Sequence, residues 1–61
     1  MILHALRAKY HGQTQEAMVN IEIYLENPVG IGDHPEIAEA IDTQLAKMVE
    51  AKEKLLALKE F

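Results

Sequence analysis

The sequence predicts an all-α fold: an antiparallel two-helix hairpin that dimerises into a four-helix bundle. Three observations carry this reading. Apolar residues recur at helical spacing in two long segments, one short stretch rich in Pro and Gly separates them, and the two segments match in length. With 61 residues the chain is read as a single hairpin domain over 1–61, too small for a cleft built between layers.

The first helix is expected at about residues 2–26. On a 3.6-residue wheel Leu3, Leu6, Tyr10, Thr14, Ala17, Met18, Ile21, Tyr24 and Leu25 gather on one side. A weaker stripe runs on the opposite side through Ala5, Ala8, Gly12, Val19 and Ile23, interrupted by Glu16. Two apolar faces ask for two partners. Gly12 costs about 1 kcal/mol relative to Ala in a helix interior. Either a backbone packs closely against it or it is a tolerated exposed glycine, and the sequence leaves both readings open.

The composition changes once, over 27–35, which holds both prolines and two of the three glycines. Pro28 disfavours a helical Asn27, so the first helix ends near Glu26 and a loop occupies about 27–33. Asp33 with Glu36 three residues later has capping-box spacing, and Pro35 falls in the first turn, where a missing N–H leaves no bond unmade. The second helix is therefore expected at about 34–60.

Along that helix a 3.5-residue seam runs through His34, Ile37, Ile41, Gln44, Met48, Ala51, Leu55 and Leu58, broadened by Ala38, Leu45, Val49 and Leu56. Its outer face carries Glu36, Glu39, Thr43, Lys47, Glu50 and Lys54, with Glu50 and Lys54 in the favourable i,i+4 order. At 1.5 Å per residue the helices span about 36 and 39 Å, so they can pack along their whole extent.

The apolar stripes are wider than one seam needs, and the core material is thin. Of 30 apolar residues eight are Ala, only three are aromatic, and there is no Trp. A domain this small ordinarily needs a disulfide, a structural metal or self-association. The absence of Cys removes the first, and a thiolate zinc site with it. Homodimerisation is the expectation, twofold closure being the commonest symmetric solution. The candidate interface residues are Ala5, Ala8, Gly12, Val19 and Ile23 on the first helix with Ile41, Met48 and Leu55 on the second.

The net charge of −4 argues against an electrostatic nucleic-acid binder and against a basic membrane-surface helix. The stretch Met1–Arg7 lacks a signal-peptide pattern, and no apolar run approaches the roughly 20 residues that span a bilayer. A cytoplasmic protein is expected.

Little in the chain points to chemistry. His4 and His11 stand two turns apart, about 10.5 Å along a helix axis, too far to share one metal. Glu36, Glu39 and Asp42 complement the dipole at a helix N-terminus, and no Glu-x-x-His pair of the di-iron bundles occurs. There is neither Ser nor Cys, which leaves Thr14 and Thr43 as the only hydroxyl nucleophiles of the usual kind. Gly30-Ile31-Gly32 lacks the Lys of a phosphate loop, and Val29 and Ile31 are expected to fold over the bundle end. No cofactor, no metal and no enzymatic activity are expected.

Two resemblances add to this reading. Arg7 and Lys9, with His4 and His11 nearby, form a basic concentration on the first helix. In size, net acidity and two-helix plan the chain resembles the plasmid-copy-number proteins of the Rop type, a likeness that covers no residue motif. It implies an RNA-binding bundle as the alternative function. The segment Glu26–Glu36, together with Ile41-Asp42-Thr43-Gln44, resembles short helical proteins of marine tailed phages, especially those of cyanobacteria. That resemblance implies an accessory protein acting in a bacterial host cytoplasm, and it names no ligand or site. The leading expectation is a small oligomeric interaction protein that contacts a host or viral protein.

Overall fold

The computed structural model describes residues 1–26 and 34–61. Two helices of 25 residues each, α1 (Ile2–Glu26) and α2 (His34–Leu58), pack against one another, and no strand occurs among the described residues. The result is a rod with extents of 44 × 14 × 12 Å. The capping box that begins at Asp33, the Gly30-Ile31-Gly32 stretch, Val29, Ile31 and the His34 side chain lie outside the described residues.

Two cross-helix contacts set the antiparallel register. The Asn20 amide donates to Gln44 Oε1 at 3.2 Å, and Lys54 Nζ stands 5.3 Å from the centre of the Tyr10 ring. In both pairs the residue numbers add to 64, so that sum identifies residues at the same level of the hairpin.

The seam follows the periodicity of each helix. In α2 the covered positions are Ile37, Ile41, Gln44, Met48, Ala51, Leu55 and Leu58, alternating steps of four and three, with Ala40 at their margin. In α1 they are Leu3, Leu6, Tyr10, Thr14, Ala17, Ile21 and Tyr24. Met18 and Leu25, expected on this stripe, are exposed, while Asn20, which polarity alone leaves off it, is half-buried. The reason is the Asn20–Gln44 hydrogen bond, which turns an amide toward the seam that the wheel reserves for hydrocarbon.

Small residues occupy the middle. Ala17 and Ala51 are 1% exposed. Two helices can cover a side chain that completely only when their backbones approach closely, as small residues permit. Among the described residues no large side chain is fully buried, and the buried polar ones are Thr14 and Gln44. Thr14 Oγ1 donates to the Tyr10 carbonyl at 2.9 Å, one turn back. Among the described residues no buried side-chain polar atom lacks a partner, so this mixed seam is chemically complete although poor in hydrocarbon.

The second helix closes earlier than the sequence reading expects, at Leu58 instead of about residue 60. The amides of Lys59, Glu60 and Phe61 bond to the carbonyls of Leu56, Ala57 and Leu58, three residues back in each case, so the chain tightens into a 3₁₀-type turn after α2.

Candidate functional site

A two-helix rod has two broad sides flanking its seam, and they differ in chemistry. On one side Gln13, Glu16 and Ala17 of α1 face Gln44, Lys47, Glu50 and Lys54 of α2 across a polar groove. Lys54 Nζ pairs with Glu50 Oε1 at 3.1 Å, the i,i+4 contact read from the sequence, and also lies over the Tyr10 ring. Hydrogen bonding to the Glu50 carboxylate, then that carboxylate's charge, hold the Lys54 ammonium above its ordinary pKa. Both partners are exposed, so the pair adds little to stability. Lys54 thus flanks the seam, where the wheel alone places it on the outer face.

The other side is apolar and carries charge at its ends. A groove of about 420 Å³ is lined by Arg7, His11, Lys52, Leu55, Leu56 and Lys59. It continues past Lys52, which walls both depressions, into one lined by Met18, Ile21, Glu22, Leu45 and Met48. The α2 stripe along it, Leu45, Val49, Lys52 and Leu56, repeats at three or four residues. Leu45, Val49 and Leu56 are 41%, 49% and 61% exposed, which is a large apolar investment in a surface facing solvent.

The eight residues expected at an interface fall into two groups. Ile41, Met48 and Leu55 are half-buried in the seam, and the last two reach the floor of the apolar grooves. Ala5, Ala8, Gly12, Val19 and Ile23 are exposed along the side of α1 turned away from α2. A methyl group added at Gly12 would meet nothing within 4 Å in the single hairpin. Arg7, Lys52, Lys59 and His11 gather around Leu55 and Leu56 only through the folding of α2 against α1. Reading α1 alone finds the Arg7 end of this cluster, and the matching lysines become neighbours once the register is known.

Among the described residues no three His, Asp or Glu side chains are grouped as a metal site would need. No helix of the described residues is long and apolar enough to cross a membrane. The described residues leave a broad apolar side, with charge toward its ends, exposed to solvent. Comparison with protein-family models, with curated proteins and with solved structures returns no match.

Proposed function

We propose that this chain is a small helical interaction protein that works as a homodimer, two hairpins closing a four-helix bundle whose acidic outer surface contacts another protein. The observation that carries the reading is the open apolar side bearing Leu45, Val49 and Leu56. A magnitude supports it. The chain exposes 4781 Å², whereas a compact monomer of this mass exposes roughly 4,000 Å². The excess of about 800 Å² is one partner's share of a standard protein–protein interface. The resemblance to phage proteins would place that contact in an infected bacterium.

A second reading, an RNA-binding bundle, draws on Arg7, His11, Lys52 and Lys59 around one groove. Its signature is an RNA mobility shift that weakens steeply with salt, because phosphate contacts release counterions. The two readings separate in one experiment. The tagged chain and a Val49→Asp variant designed to stay monomeric are used to capture partners from bacterial lysate, with and without nuclease. The interaction reading expects one dominant protein, retained after nuclease and lost with Val49→Asp. Capture of nucleic acid that nuclease abolishes would replace it with the RNA reading.

A further inference from the structure

Charge is uneven along the rod. Between Tyr10 and Ala46 the sequence has seven carboxylates and neither Lys nor Arg, whereas residues 1–9 and 47–61 hold all six Lys and Arg against three carboxylates. The antiparallel register places Glu16 and Lys47 together near the middle, gathers Glu22, Glu26, Glu36, Glu39 and Asp42 at the end where 27–33 join the helices, and gathers Arg7, Lys9, Lys52, Lys54 and Lys59 with Glu50, Glu53 and Glu60 at the end bearing both termini. With Asp33 counted beside its sequence neighbours the formal charges of the ends are −6 and +2, and Glu16 and Lys47 cancel in the middle, which recovers the total of −4.

The apolar side repeats this polarity. Arg7, His11, Lys52 and Lys59 line its terminal end, Glu22 stands toward the connecting end, and Met18, Leu45 and Met48 lie near the middle. Such a surface complements a copy of itself turned end for end. In a parallel pairing Arg7, Lys52 and Lys59 of one copy would lie at the same end as Arg7, Lys52 and Lys59 of the other, and like charges brought together while water is excluded repel strongly. The exposed side of α1 through Ala5, Gly12 and Val19 offers no comparable match.

We infer that the second hairpin docks on the side bearing Leu45, Val49 and Leu56, antiparallel to the first and related to it by a twofold axis crossing the middle of the rod. The inference rests on the dimer reading above and specifies its surface and orientation. Residue numbers at one level add to 64, so the helices overlap from Leu6 opposite Leu58 to Glu26 opposite Ala38. The centre falls near Glu16 and Met48, one residue from Val49. Leu56 lies eight residues from Met48, about 12 Å along the axis. Across the twofold axis two copies of Val49 meet, whereas two copies of Leu56 stand about 24 Å apart along the bundle. Gly12 remains on the outside.

The chain contains no Cys, so Val49→Cys and Leu56→Cys each introduce one unique thiol. Both sites are exposed in the hairpin, and helicity by circular dichroism verifies that each variant folds. Each is treated with a short bis-maleimide, and the mass of the unmodified chain is measured by sedimentation equilibrium. The expected result is covalent dimer from Val49→Cys and none from Leu56→Cys. Covalent dimer from both would show a parallel pairing and overturn the orientation. Cross-linking of neither, with sedimentation at twice 6.9 kDa, would place the dimer on another surface and overturn this inference alone. Cross-linking of neither with sedimentation at 6.9 kDa would overturn the dimer reading itself.

Discussion

Gly12 is the residue at which the sequence leaves two opposite readings, and the structure supplies a number for the choice. Nothing lies within 4 Å of a methyl group placed there, and Gly12 sits in the interior of a helix running from Ile2 to Glu26. Gly12→Ala should therefore stabilise the protein by up to about 1 kcal/mol, through backbone entropy and helix propensity alone. For a domain this small that raises Tm by roughly 4–8 °C. Thermal denaturation of the two forms at equal concentration checks it. Destabilisation would mean that a second backbone packs against Gly12, moving the dimer contact to the Ala5–Ile23 stripe. Asn20 shows where the wheel stops being informative. It sorts residues by polarity, and an amide that joins the seam through a partner on the other helix looks the same as one facing water. The hydrogen bond to Gln44 becomes visible only when the register brings the two to one level.

At the scale of the helices, α2 was the more legible of the two. Its apolar positions alternate in steps of four and three, and a 3.5-residue repeat can present only one strip to an antiparallel neighbour. The expected seam positions from Ile37 to Leu58 are the ones covered, while Ala38, Leu45, Val49 and Leu56, expected to broaden it, are exposed; the end of α1 and the start of α2 fall where Pro28 and Pro35 point. Helix α1 was harder to read because two apolar stripes compete, and only contact with α2 decides which one lies inside the hairpin. The centre of the seam also has a consequence for packing. Ala51 is 1% exposed, so a larger side chain there has no space unless the helices separate. Ala51→Leu should destabilise by about 1–3 kcal/mol despite adding hydrocarbon to a poor core. Ala46→Leu, the same change at an exposed position of α2, should alter stability by less than about 0.5 kcal/mol. Chemical denaturation of the pair measures the difference. Equal tolerance at the two positions would mean that the helices are not held at the separation their alanines allow.

The molecule as a whole separates charge along its length, a property carried by no single residue or helix. The antiparallel packing of α1 and α2 creates it, bringing Arg7, Lys9, Lys52, Lys54 and Lys59 toward one end and Glu22, Glu26, Glu36, Glu39 and Asp42 toward the other. The signal was present in the sequence as a run of 37 residues without Lys or Arg, but it acquires a direction only once the helices are antiparallel. It leads to a prediction whose sign runs against simple net charge. Glu22→Lys changes each chain from −4 to −2, so repulsion between two acidic monomers falls and association should tighten if net charge governs it. In a parallel dimer Glu22 lies beside the partner's acidic end, level with Asp42, and a lysine there replaces repulsion by attraction, so association tightens as well. In the antiparallel dimer Glu22 lies toward the Arg7 and His11 end of the partner, and a lysine there turns attraction into repulsion. The loss of about 1 kcal/mol expected for a pair at an interface rim corresponds to a dissociation constant about fivefold higher. Sedimentation equilibrium at low ionic strength, where surface charges are least screened, measures the change. A dimer that tightens with Glu22→Lys would show that the hairpins do not meet end for end on this side.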